Sequence, residues 1–118
     1  MALYTNCYRR ATDSHGLKIS VMRFTPKSFS YDILIPELAP SPQLLRDYRA
    51  GKLTWQQYEE AFTRLMEVNS DSIDRLIQLA TGQDVTIYCS EFRPDKCHRR
   101  LIAEEVIRSA PELHVEIR

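Results

Sequence analysis

The sequence has no excess of charge of either sign and no long hydrophobic run. Sixteen basic residues balance sixteen acidic ones, so no overall field draws the protein to nucleic acid or to a membrane, and anion binding must be local. The apolar runs are only a few residues long, far short of a membrane span. The first residues lack the charged and apolar segments of a signal peptide, so we expect a cytoplasmic protein with no membrane partner.

Cysteine is scarce, and its odd count argues against a disulfide framework. The chain has three cysteines and no C-x-x-C pair. Because no export signal is present, these residues are expected to be reduced thiols. A Cys89–Cys97 disulfide is compatible with the sequence but is disfavoured in the expected compartment.

No repeat, low-complexity segment or linker divides the chain, so residues 1–118 are expected to form a single domain. Hydrophobic periodicity predicts strands at 3–8, 17–24, 85–89 and 113–117, and helices at 42–50, 55–66, 71–82 and 97–109. Ser41 and Thr54 are expected to be helix N-caps. Three prolines indicate irregular structure over 25–40.

The order of these elements determines the predicted fold class. The last sixty or so residues run helix, strand, helix, strand, which implies parallel strands joined by a right-handed helical crossover. We therefore predict an α/β fold, with a single three-layer domain in which helices flank a small, mostly parallel sheet.

Reactive residue types concentrate between Cys89 and Arg100, where a predicted strand passes into a helix. In α/β folds, ligands bind beyond the carboxyl ends of strands, where helix N-termini offer free N–H groups. Cys89 has the place of a strand-end nucleophile, and nearby arginines would favour its thiolate form. Glu91 or His98 would exchange protons. Cys89 and Glu91 are therefore the candidate catalytic residues.

Arg99 is the unusual residue of the predicted helix. It shares a helical face with Ile102 and Val106, which must pack on the sheet. A buried cation needs a partner, so Arg99 is predicted to point into a cleft beside Cys89. Arg100 falls on the flank, where it can pair with Glu104. Arg99, His98 and the helix N–H groups thus indicate an anion site, to which Arg93 could contribute.

Two other interpretations remain open. In the first, Cys89 only fills space and Arg99 pairs with Glu91 as a polar lock, while helices near residues 48–66 contact a partner. In the second, a transition metal binds Cys89, Cys97 and His98, with Cys7 or His15 completing the set. The spacing fits neither a zinc motif nor the thiol phosphatase loop, which needs an arginine where this chain has Asp95.

The same stretch resembles the bacterial family called domain of unknown function 488. The family pattern is an apolar strand with C-x-E, a short loop, and C-H-R before a helix, and it is matched here by 85–91 and 97–99. A second family pattern, D-V-R-x-x-P-x-S, is similar to 21–28; Arg23, Pro26 and Ser28 agree, but Val21 replaces the aspartate. The resemblance implies an α/β fold and adds Arg23 and Ser28 to the candidate site.

We therefore expect a polar cleft that binds a small anionic or phosphate-bearing ligand, such as a nucleotide or a nucleic-acid end. The expected ligand-binding residues are Arg23, Ser28, Cys97, His98 and Arg99. The sequence names no cofactor, substrate or oligomeric state, and it does not decide whether the protein is an enzyme.

Overall fold

A parallel β-sheet forms the centre of the protein, for which a computed structural model describes residues 1–13 and 16–118. The described part contains five strands in the spatial order β3-β2-β4-β1-β5. They are β1 (Ala2–Cys7), β2 (Leu17–Ser20), β3 (Ile33–Leu34), β4 (Val85–Cys89) and β5 (His114–Glu116). Every neighbouring pair is parallel. All five residues of the central strand β4 are buried, as expected for a strand covered on both faces.

Four α-helices connect the strands of the described part. They are α1 (Pro42–Arg49), α2 (Trp55–Val68), α3 (Ser70–Gly82) and α4 (His98–Ser109), and short 3-10 segments lie at Tyr8–Asp13 and Pro36–Leu38. The Ser41 side chain caps α1 by accepting from the Leu44 N–H at 3.1 Å. Thr54 and Gln57 form a capping box at the start of α2. Both predicted N-caps are confirmed, because each supplies an acceptor to N–H groups that lack a helical partner.

The α-helices share one hydrophobic core with the sheet. Fully buried side chains of this core come from the strands and from the helices alike: Leu3, Ile19, Ile87, Phe62, Leu76 and Ile102. Tyr88 points to the opposite side of β4 from Ile87, because side chains alternate along a strand. It packs against Phe29 with a centroid distance of 4.9 Å, in a second cluster with Tyr8 and Met22. The second face is thus covered by a 3-10 segment and a loop.

The fold class is confirmed as α/β, and the described residues form a five-stranded parallel sheet and four α-helices. One strand was not predicted: β3 lies in the proline-containing stretch that was expected to be irregular. It forms because Asp32 and Ile35 donate backbone N–H bonds to the carbonyls of Lys18 and Ser20, at 2.8 and 3.0 Å. Among the described residues, no helix has the length and apolar content needed to cross a membrane.

Candidate functional site

The candidate site lies where β4 ends and α4 begins. Cys89 is the last residue of β4, and Cys97 is the N-cap of α4. Between them the loop tightens into a turn in which the Cys97 N–H donates to the Pro94 carbonyl at 3.2 Å. The Cys97 side chain does not cap the helix. The predicted strand-to-helix turn is confirmed, and it leaves the Cys97 sulfur available for contacts outside the helix.

The sulfur atoms of Cys89 and Cys97 meet in the structure and are bonded to each other. This differs from the expectation of free thiols, and it arises because the turn folds the N-cap of α4 back over the end of β4. The two Cα atoms are 7.6 Å apart, so the side chains reach toward each other across the turn. The remaining cysteine, Cys7, is free and buried on the adjacent strand β1, with its sulfur 3.6 Å from the Ser90 carbonyl oxygen.

Arg99 is fully buried directly behind these two sulfur atoms. Its guanidinium donates to three backbone oxygens, those of Glu91, Phe92 and Arg118. Nη1 also lies 3.0 Å from the Cys89 sulfur and 3.5 Å from the Cys97 sulfur. No Asp or Glu side chain of the described residues forms an ion pair with Arg99. Burial lowers the pKa of Arg99 because desolvation disfavours its charged form.

His98, the first residue of α4, is buried and neutral. Its Nε2 lies 2.6 Å from the Val21 carbonyl oxygen. Since a carbonyl only accepts, Nε2 carries the hydrogen and Nδ1 is the basic nitrogen, which lies 4.0 Å from the Cys97 sulfur. Burial lowers the pKa of His98 to about 4, the Val21 hydrogen bond opposes this shift, and Arg99 adds to it. At neutral pH, His98 is therefore a neutral ring whose Nδ1 can accept a hydrogen bond.

A cleft of about 200 Å³ opens over this turn. Cys89, Cys97 and His98 lie among its lining residues. Three cationic side chains and one carboxylate also line it: Arg23, Arg49, Lys96 and Glu91. The cations therefore outnumber the carboxylate in this lining, although the chain as a whole has no net charge.

Aromatic rings form another part of the cleft lining. Tyr48, Trp55 and Tyr58 contact one another, with Trp55 stacked on Tyr58 at a centroid distance of 5.1 Å and an interplanar angle of 19°. Tyr58 is buried, and burial raises its pKa, so it remains a neutral phenol. Tyr48 and Trp55 are half-buried and present ring surface to the cleft. The cleft thus combines positive charge with flat apolar surface.

The structure brings together most of the predicted site residues. Cys89, Glu91, Arg23, Cys97 and His98 line the cleft. Arg23 is held at its edge by the carbonyls of Pro40 and Pro36, at 2.9 and 3.3 Å.

Three of the predicted side chains do not line the cleft. Arg99 contacts Cys89 from behind, and Ser28 and Arg93 are exposed and outside the lining. Arg100 lies 4.0 Å from Glu104, which confirms the predicted pair.

Some cleft residues were missed by sequence reasoning. Arg49 had no signal of its own, and Trp55 follows the same helical spacing as the core residues Tyr58 and Phe62. The spacing correctly predicts that Tyr58 and Phe62 are buried. It does not reveal that Trp55, at the start of α2, faces the end of β4.

Cys89, Cys97 and His98 are also the residues that could hold a metal ion. Their ligand atoms all lie within 4.8 Å of one another, and all three residues are buried. Cys7 is not part of this group, and His15 lies outside the described residues. The Arg99 guanidinium touches both sulfurs and opposes a second cation at the same point.

Comparison with known protein families identifies the family of the chain. Residues 3–110 match the family DUF488-N3a, described as the active DUF488-N3 subclade. None of the curated proteins and none of the solved structures matches the chain. Because the family match covers most of the sequence, the chain belongs to the DUF488 family.

Proposed function

We propose that this DUF488 protein binds a small anionic ligand of the nucleotide class in its cleft and acts on it through the thiolate of Cys89. Arg23 and the cleft cations Arg49 and Lys96 would hold the phosphate. Tyr48 and Trp55 would contact the aromatic base. We place the protein in the cytoplasm, where reducing conditions keep Cys89 and Cys97 available as thiols.

The observation that carries this proposal is the contact between the Arg99 guanidinium and the Cys89 sulfur at 3.0 Å. A buried cation without an anionic partner destabilises a fold by several kcal/mol in general. The carbonyls of Glu91 and Phe92 supply only partial charges to Arg99. In the reduced protein, a thiolate at Cys89 would add a full negative charge in direct contact with the buried Arg99 guanidinium, and this contact would favour the nucleophilic form of the cysteine.

The composition of the cleft supports this ligand class. A volume of about 200 Å³ admits a small molecule and excludes a folded partner. Its cations match a phosphate, and the half-buried rings of Tyr48 and Trp55 match the flat surface of a base. This combination favours a nucleotide over inorganic phosphate, which would leave the aromatic lining unused.

Two neighbouring groups would assist, Glu91 by proton transfer and His98 by a hydrogen bond. Glu91 is an exposed carboxylate at the cleft and would give a proton to, or take one from, the ligand. Nδ1 of His98 is unprotonated and lies 4.0 Å from the Cys97 sulfur, so it would accept a hydrogen bond from that thiol. The thiolate at Cys89 would then be supported by Arg99, and the thiol at Cys97 by His98.

Cys89 alkylation as a function of pH tests this proposal. Reduced protein is treated with iodoacetamide, and the Cys89 peptide is followed by mass spectrometry from pH 5 to pH 9. We expect the alkylation rate to reach half of its maximum at a lower pH than it does for a free thiol. In Arg99→Gln the profile should move back toward the free-thiol value. A profile near that of a free thiol in the folded wild-type protein refutes the thiolate.

Calorimetric titration with AMP, ADP and inorganic phosphate tests the ligand class independently. AMP is expected to bind more tightly than phosphate, because only AMP contacts the aromatic lining. Arg49→Ala should weaken AMP binding, whereas Arg64→Ala serves as a control, since Arg64 is exposed on α2 and does not line the cleft. Equal affinity for phosphate and AMP would contradict a nucleotide-class ligand.

The polar lock remains the second candidate, because Arg99 ties the carbonyls of Glu91 and Phe92 to α4. Such a lock would hold the 90–97 loop in place in a non-catalytic module. It predicts that Arg99 contributes to stability but that Cys89 behaves as an ordinary buried thiol. The alkylation profile separates the two functions.

A further inference from the structure

An exposed ring surrounded by arginines lies beside the cleft. Phe92, in the loop between β4 and α4, is 49% exposed. The guanidinium carbons of Arg9 and Arg10 lie 5.5 and 5.1 Å from the centre of its ring. Arg93, the next residue along the chain, is also exposed. We call these four residues, Arg9, Arg10, Phe92 and Arg93, the Arg–Phe patch.

No ion pair joins the arginines of the Arg–Phe patch to an acidic residue among those whose side chains the structure describes, 1–10 and 16–118. Arg9 and Arg10 approach the same ring, so two like charges are drawn to one place. Cation–π contacts hold each guanidinium over the ring, but they do not neutralise it. An anion bound between these side chains would relieve their repulsion.

The Arg–Phe patch is continuous with the cleft. Arg9 donates from Nη1 to the Ser90 carbonyl at 3.4 Å, and Ser90 is itself a lining residue of the cleft. The Phe92 carbonyl accepts from Arg99 at 3.1 Å, which fixes the backbone that carries the exposed ring. A ligand that lies on the patch can therefore extend past Ser90 toward Cys89.

We propose that the Arg–Phe patch binds the chain of a single-stranded nucleic acid and directs its terminal nucleotide into the cleft. This inference rests on the proposed function, because it takes the nucleotide in the cleft to be the end of a single-stranded nucleic acid. Arg9, Arg10 and Arg93 would contact successive phosphates, and Phe92 would stack on an unpaired base. A duplex keeps its bases stacked inside and cannot offer one to Phe92.

The proposal predicts binding that is modest and strongly dependent on salt. For single strands, the slope of log K against log salt is about −0.7 for each phosphate neutralised, so three contacts give about −2. The protein has no net charge to add to this local attraction. The expected slope of log K against log salt therefore reflects the number of arginines in the patch that contact phosphates.

Fluorescence anisotropy with a labelled ten-nucleotide single-stranded DNA tests the proposal on the full reduced chain. Arg9→Ala/Arg10→Ala should weaken binding about tenfold or more and lower the salt slope by about 1.4. Phe92→Ala should weaken binding at least about fivefold through lost stacking. Arg64→Ala/Arg75→Ala removes the same charge from exposed positions on α2 and α3 and should change affinity less than about twofold.

Each contrary outcome overturns the proposal. The first is an equal loss of DNA affinity in the patch and control variants, and the second is equal affinity for duplex and single-stranded DNA. The third is displacement of the labelled DNA by poly-glutamate as effectively as by unlabelled DNA. A thermal melting curve of each variant is the control for correct folding. AMP binding distinguishes this inference from the proposed function: the patch variants should retain it, and its absence in the wild-type protein counts against the cleft and not against the patch.

Discussion

Protonation of His98 is expected to destabilise the protein as the pH falls below neutrality. The residue is 8% exposed, and its Nε2–H is bound to the Val21 carbonyl. Burial, reinforced by Arg99 and opposed by that hydrogen bond, lowers its pKa from 6.5 to about 4. In the unfolded chain the ring returns to its ordinary value, so the two states bind protons over different ranges of pH.

The sign and size of the effect follow from this difference. Above pH 6.5 the ring is neutral in both states, and the folded protein loses nothing. Between pH 6.5 and pH 4 the unfolded state binds a proton that the folded state does not, so the free energy of unfolding decreases. The expected loss is about 2 kcal/mol between pH 7 and pH 5, and about 3 kcal/mol once the pH is below the folded value.

Urea denaturation in the presence of reductant measures this loss directly. We compare the wild-type protein with His98→Gln, whose amide can still donate to Val21 but does not titrate. Their difference in unfolding free energy should shrink by about 2 kcal/mol from pH 7 to pH 5. His114→Gln is the matched control, because the His114 side chain is 66% exposed, and this variant should follow the wild-type pH profile.

A constant difference between wild type and His98→Gln across this pH range would refute the reasoning. It would mean that His98 titrates alike in the folded and unfolded states, and the ring would then not be held as a neutral acceptor. The role assigned to Nδ1 opposite Cys97 would be lost with it.

Three further predictions concern stability and ligand contact. Arg99→Ala should lower the unfolding free energy by about 3–5 kcal/mol in urea at pH 7, because buried acceptors lose their donor; a loss within 1 kcal/mol would contradict its buried role. Gly16→Ala should lower the melting temperature by several degrees, since Gly16 has φ +66° and an added Cβ would collide with the Asp84 carbonyl, whereas Gly82→Ala meets open space and should not. Trp55, the single tryptophan, should be quenched when AMP binds, and an unchanged fluorescence at saturation would place the base elsewhere.

Local sequence signals predicted the fold well where each element is long or capped. The apolar run 85–89 gives β4 with its observed bounds, and the start of α4 at His98 is within one residue of the prediction. The two-residue strand β3 was missed because its identity depends on hydrogen bonds to β2 and not on its own pattern. The position of β3 depends on its pairing with the carbonyls of Lys18 and Ser20, and a local hydrophobic pattern carries no information about such distant pairing.

The site was predictable only in part, for a similar reason. The helical face of α4 predicted that Arg99 is buried beside Cys89, and their contact is observed. Sequence spacing could not show that Arg99 stays behind the cleft, nor that Trp55 and Arg49, about 35 to 40 residues before Cys89, lie in its lining. Those placements depend on how α1 and α2 pack over the end of the sheet, which no local pattern encodes.

The polar lock and the thiolate differ in whether Arg99 interacts with a charge at Cys89. Carbonyl oxygens satisfy the donors of Arg99 at any pH, but an ion pair with a thiolate exists only when Cys89 is deprotonated. A double-mutant cycle between Cys89→Ser and Arg99→Gln, measured by urea denaturation under reductant, isolates this coupling because serine accepts a hydrogen bond but stays neutral.

A thiolate predicts a coupling of about 2 kcal/mol at pH 8, within the range for contacting residues, which fades as the pH falls and Cys89 is protonated. A lock predicts a small coupling that is the same at both ends of the pH range. A coupling that is independent of pH would therefore assign Arg99 to the architecture of the loop alone, and the cleft would lose its nucleophile.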